Sequence, residues 1–90
     1  METLELAIAA FAQWSQPWTF RKFVLNNEHL DEKSKSTFNE IWTKAGDLGI
    51  WNNSDLDLGC KASHKYIKDH YELSDAAIGS IVRALSHEWK

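Results

Sequence analysis

Between Leu73 and Trp89 the apolar residues Ala77, Ile78, Ile81, Val82, Leu85 and Trp89 recur at spacings of three and four. That period puts them on one face of a helix; a strand would alternate its faces at every second residue. Ser74 stands where an N-cap hydroxyl can accept from the free backbone N–H groups of the first turn. Asp75 follows, where a negative charge complements the positive end of the helix dipole. The opposite side carries Ala76, Gly79, Ser80, Arg83 and Ala84, and is small and nearly uncharged. Glycine inside a helix costs about 1 kcal/mol relative to alanine. Gly79 therefore invites a reason, such as the close approach of another backbone, although simple tolerance explains it equally well.

The same period organises the rest of the chain. Thr3 to Trp14 reads as a helix that is apolar on nearly every side, so it belongs in the centre of a core or in a subunit interface. The single proline, Pro17, separates it from a short second helix over Trp18–Leu25, with Ser15 as a candidate cap and Asn26-Asn27 as a polar stop. A third helix runs from about Asp31, its cap, to Leu48, with Phe38, Ile41, Trp42, Ala45 and Leu48 on one face. Its regular part could also begin at a Thr37-x-x-Glu40 capping box. Gly49 suits the left-handed residue that ends a helix, with Ile50 folding back onto Ala45. Trp51 is expected to plug the edge of the core. Ser54-Asp55-Leu56-Asp57 resembles another capping box and opens a fourth helical region that reaches about Tyr71, with Leu56, Cys60, Ile67 and Tyr71 inside. Gly59 interrupts that region, and Ser63 could cap a fresh start. Nothing in the pattern favours a sheet. The expected fold is all-α: a compact bundle of four to five short helices in a single domain spanning 1–90.

At 90 residues the chain has room for one domain, and its 5 Trp, 4 Phe and 2 Tyr suit a small core by supplying large apolar area per residue. The net charge of −3 does not favour a nonspecific nucleic-acid binder, which would carry a basic excess. With one cysteine, Cys60, no disulfide can close within the chain. The acidic Met1–Glu5 segment lacks the positive region of a signal peptide, and no apolar run is long enough to span a membrane. The expectation is a soluble, cytoplasmic protein.

The chemistry-bearing residues are sparse. Cys60 and His64 stand four apart with Asp57 and His70 nearby, but zinc needs three or four ligands converging in a tetrahedron. A small packed cysteine beside a surface histidine explains the pair as well. As a nucleophile and base, Cys60 and His64 lack an oxyanion hole and an orienting third group. The four histidines do not cluster, and the four glycines form no phosphate loop. The expectation is a protein that is not an enzyme and carries no metal and no cofactor.

Two binding readings follow. The first is a non-catalytic helical protein-protein interaction module, of the small regulator, inhibitor or immunity type. It would cover another protein, or a second copy of itself, through the outer side of the last helix at Ala76, Gly79, Ser80 and Arg83. The aromatic segment with Trp18 and Arg21 would join that surface, since aromatics and arginine commonly anchor interfaces. The second is a DNA-binding transcriptional regulator that uses 74–89 as the recognition helix of a helix-turn-helix-like unit. There Lys61, Lys65 and Lys68 would hold the backbone while Ser80 and Arg83 face the bases. Asp57 and Lys61, and Lys65 and Asp69, stand four apart, so part of that positive charge is compensated locally. Lys68 and Glu72 also occupy positions where the motif normally has a small residue and a turn glycine, and Asp75 would repel phosphate.

Overall fold

The protein is described by a computed structural model over residues 2–47, 51 and 56–88. The sequence expectations for Leu48, Gly49, Ile50, Ser54, Asp55 and Trp89, and for the side chain of Leu56, lie outside the described residues. Every regular element among the described residues is helical. In chain order these are α1 (Glu2–Ala9), a 3-10 turn (Pro17–Thr19), α2 (Phe20–Leu25), α3 (Glu32–Ala45), α4 (Leu56–His70) and α5 (Asp75–Glu88). The all-α expectation holds.

The bundle is arranged around α5, which packs against α4, α1, the 3-10 turn and α3. Its inner face is the one the period marked: Ala77, Ile78, Ile81, Val82, Ala84 and Leu85 are buried. Ala84 is thereby moved from the outer side, where the sequence placed it, to the core flank. The start of α5 is capped as expected, with the Ala77 N–H donating to Ser74 Oγ at 3.2 Å. A second cap comes from the opposite end of the chain, where the Ser74 backbone N–H donates to the Glu5 carboxylate. That bond holds the Glu5 carboxyl below its ordinary pKa and ties α1 to the start of α5.

Two termini are shorter than the sequence suggested. Helix α1 stops at Ala9 rather than Trp14. From Phe11 onward, the chain instead supplies an aromatic cluster. Phe11 meets Trp14 and Phe20 edge-on at centroid distances of 4.9 and 5.2 Å, and Trp14 stacks on Phe20 at 5.6 Å. Phe20 also faces Phe38 and Trp42, both at 6.1 Å, which joins α2 to α3. Packing of this kind outweighs the helix propensity of the alanines before it. Leu4, Ala7 and Ile8 of α1 are buried, but Leu6 is 66% exposed, so α1 covers the core with one face rather than passing through it.

Helix α3 begins at the Asp31 cap, whose Oδ1 accepts from the Ser34 N–H at 2.8 Å. The alternative start is not used: Thr37 Oγ1 donates back to the Lys33 carbonyl at 3.0 Å, within the helix. The helix ends at Ala45, with Gly46 at φ −93° rather than in a left-handed turn. The Ala45 carbonyl at this end accepts two buried donors, Trp51 Nε1 at 2.8 Å and Ser63 Oγ at 3.1 Å. This explains why α4 runs unbroken through Gly59 and Ser63. Ser63 is not a cap but a buried donor to the end of α3. Gly59 is the contact point for Trp51, where a Cβ would lie 2.4 Å from ring carbon Cε3.

The Cα radius of gyration, 12.2 Å, agrees with the roughly 12 Å expected for one compact domain of this length. No helix among the described residues is long and apolar enough to cross a membrane.

Candidate partner-binding surface

The outward side of α5 is a ridge with a groove on each flank. Ala76, Gly79 and Arg83 are exposed along it, and Ser80 is half-buried. One flank faces α4. There a groove of ≈ 450 Å³ is lined by Cys60, Lys61, His64, Lys65, Lys68 and Asp69 from α4 and by Gly79 and Val82 from α5. A Cβ built on Gly79 would meet nothing within 4 Å, so no neighbour within the chain requires this glycine. On the other flank, Ala76, Ala77 and Ser80 line a groove of ≈ 300 Å³ with Glu5, Ala9, Phe11 and Trp14.

Arg83 is fixed rather than free: its guanidinium carbon lies 4.3 Å from the centroid of the Trp14 ring. Cation–π stacking of this kind at an exposed site contributes about 0.5–1 kcal/mol. Beyond Arg83, the His87 ring lies 5.7 Å from Trp18, which is 63% exposed. The exposed tryptophan therefore continues the α5 ridge, although it belongs to the 3-10 turn before α2. Five of the six residues proposed for a protein contact, Ala76, Gly79, Ser80, Arg83 and Trp18, thus lie on one connected surface. Arg21 is not among them: its guanidinium donates to Asn39 Oδ1 of α3 at 3.1 Å and lies 6.0 Å from the Trp42 ring centroid.

The lysines proposed for a DNA contact share the α4 wall of the larger groove, but Ser80 and Arg83 lie across the ridge from them. Lys65 Nζ donates to Asp69 at 3.2 Å and Lys68 Nζ to Asp75 at 2.8 Å. Lys68 is not wedged between the two helices; it reaches along their rim to the first turn of α5. That bond, with the lysine charge behind it, holds the Asp75 carboxyl below its ordinary range, and His64 adds a weaker contact at 3.9 Å. The carboxylates of Glu5 and Asp75 both stand at the start of α5, the end a recognition helix would bring to the bases.

Among the described residues, no group of three His, Cys, Asp or Glu side chains comes close enough to hold a metal ion. His64 turns to Asp75, while His70 stacks on Tyr66 at 4.3 Å with Nδ1 2.8 Å from the Tyr66 carbonyl oxygen. A further concavity of ≈ 520 Å³ lies between the 11–16 segment and α2, with Phe11 and Phe23 among the carboxamides of Gln13, Gln16, Asn26 and Asn27. Nothing in the spacing of the sequence brings those two segments together, so this concavity has no signature there. The pairing of Cys60 and His64 with the lysines is legible as a register, since Cys60, His64 and Lys68 recur every fourth residue, although that spacing by itself suggests metal or nucleophile chemistry rather than a groove wall. No family model, curated protein or solved structure matches the chain.

Proposed function

We propose that the chain is a non-catalytic protein-protein interaction module of the small regulator, inhibitor or immunity type, whose contact surface is the α5 ridge together with Trp18. The observation that carries this reading is the exposed Trp18 ring set beside His87, in line with Arg83 over Trp14. A large aromatic and an oriented guanidinium side by side are the usual anchors of an interface, and holding them in place beforehand lowers the entropy lost on binding. A second copy of the chain is one form such a partner could take, and the small side chains of α5 suit close helix packing in a symmetric pair. The same reading places the module in the cytoplasm, where a single reduced thiol at Cys60 is the ordinary state.

The test is a photo-crosslinking amino acid placed at Trp18, at Ser80 and, as a control, at the exposed Lys33 of α3, in the living source cell. The expected result is one common partner trapped from positions 18 and 80 but not from 33. Adding Ser80→Glu with Arg83→Glu should abolish the trapping while the far-ultraviolet circular dichroism stays unchanged. Equal trapping from all three positions, or trapping indifferent to the charge reversal, refutes the assigned surface.

The second reading, a DNA-binding regulator, is favoured by one observation: Lys61, Lys65 and Lys68 share a wall next to the outer side of α5. It requires binding to a randomised duplex that weakens steeply with salt. Binding absent at low salt removes it.

A further inference from the structure

We infer that the groove between α4 and α5 receives an acidic segment of the partner protein. Its carboxylates would lie on Lys61, Lys65 and Lys68, and a small apolar side chain would lie on the floor formed by Cys60, Gly79 and Val82. The inference rests on the protein-interaction reading above and deepens it by stating the chemistry of the partner.

Charge complementarity is the first support. The chain as a whole carries −3, yet the groove gathers three lysines, set against Asp69 in its lining and Asp75 at its rim. A positive strip on an otherwise acidic surface attracts acidic segments and turns away basic ones, which sets both encounter rate and choice of partner. Two of the lysines are bridged to Asp69 and Asp75, but these bridges are water-exposed, with side-chain exposures of 79% and 58% for Lys65 and Lys68. Exposed pairs of this kind contribute little and exchange readily for another carboxylate. The second support is the floor. Val82 is buried beneath the groove, Cys60 is half-buried beside it, and Gly79 leaves open space where any other residue would project a side chain. An incoming backbone can therefore approach α5 closely there, which gives the helix-weakening glycine a role the fold itself does not supply. Nucleic acid suits the groove less well. A phosphate chain gains nothing from the apolar floor of Cys60, Gly79 and Val82, whereas a peptide can place a small apolar side chain on it.

The experiment selects a random-sequence peptide library against the folded full chain and maps the winners by backbone amide chemical shifts. The expected winners are rich in Asp and Glu around a small apolar residue, shift the amides of residues 60–68 and 79–82, and bind more weakly as salt rises. Gly79→Leu, and separately Lys61→Glu with Lys65→Glu, should each weaken binding by about tenfold or more, the size expected when an interface anchor is lost. Both variants change exposed positions, and circular dichroism confirms that each is folded. Winners without acidic enrichment, shifts outside the groove, or affinity indifferent to Gly79→Leu overturn the inference. So does a randomised duplex that shifts the groove amides where no acidic peptide does. If the crosslinker at Trp18 and Ser80 traps a partner whose capture ignores Lys61→Glu with Lys65→Glu, the acidic-segment inference falls while the interaction module stands.

Discussion

Two glycines on neighbouring helices should respond to the same substitution with opposite signs. Replacing a helix-interior glycine by alanine stabilises by up to about 1 kcal/mol when the new methyl group meets nothing. Gly79 meets that condition, since a Cβ there has no atom within 4 Å. At Gly59 the Cβ would lie 2.4 Å from Trp51 Cε3 and 2.8 Å from Cζ3. The ring cannot simply move aside, because its Nε1 donates to the Ala45 carbonyl at 2.8 Å. Overpacking costs about 1–3 kcal/mol, and losing the indole bond adds about 1 kcal/mol. Set against the same propensity gain, Gly59→Ala should destabilise by about 1–3 kcal/mol. The measurement is urea denaturation of both variants, with thermal melting as a check at roughly 4–8 °C per kcal/mol for a domain of this size. Gly79→Ala should melt above the wild type and Gly59→Ala well below it. The cause can be isolated with Trp51→Leu: in that background, Gly59→Ala should lose most of its penalty, because the two positions share one contact. If Gly59→Ala stabilises as Gly79→Ala does, the account of α4 against Trp51 is wrong.

Three further outcomes follow from the same geometry. Ser63→Ala removes a buried donor to the Ala45 carbonyl and should cost about 1 kcal/mol in urea denaturation, and no more, because Trp51 Nε1 still satisfies that oxygen. Asp31→Ala should cost about 0.5–2 kcal/mol by loss of the α3 cap, and Asp31→Asn should restore most of it. Stability should also fall at both ends of the pH range. The Tyr71 hydroxyl donates to Glu40 at 2.7 Å, and burial followed by that bond raises its pKa above the ordinary 10.0. Its contribution is therefore complete below about pH 10 and is lost as pH rises through the folded value. The carboxyl of Glu40 is lowered from 4.5, first by Tyr71 and then by Lys44, so its contribution is present above that value and lost as pH falls below it. Melting temperature against pH, for the wild type and Tyr71→Phe, should show the alkaline decline flattened in the variant. An unchanged decline would refute the link.

The parts of the fold that depend on neighbours in sequence were legible from the sequence. The α5 pattern, its Ser74 cap and the Asp31 cap of α3 each follow from a few adjacent residues, and each stands in the structure. The parts that depend on distant partners were not. Gly59 reads as a break in a helix until Trp51 is placed against it, and Ser63 reads as a cap until the end of α3 is brought within reach of its hydroxyl. Helix α1 stops early because Phe11 and Trp14 are drawn to Phe20, a contact that no local propensity reports. The Ala84 methyl shows the same limit on a smaller scale. The width of a buried face depends on how many elements press on it, and α5 is pressed by four.

The candidate site divides along the same line. Exposure of Ala76, Gly79 and Arg83 follows from the helical period alone, whereas what the two arginines do depends on which aromatic each one meets. Arg21 and Arg83 both sit near tryptophan rings, yet only Arg83 becomes part of the outward ridge, because Trp14 holds it at 4.3 Å on the same side as Trp18. Arg21 is drawn to Asn39, where it braces α2 against α3. Gly79 changes meaning in a similar way. In the sequence it is a helix-weakening residue that asks for a close neighbour, and within the chain it has none. Under the proposed interaction, the open space at Gly79 is where the backbone of the partner would approach α5, beside the lysines of the α4 wall.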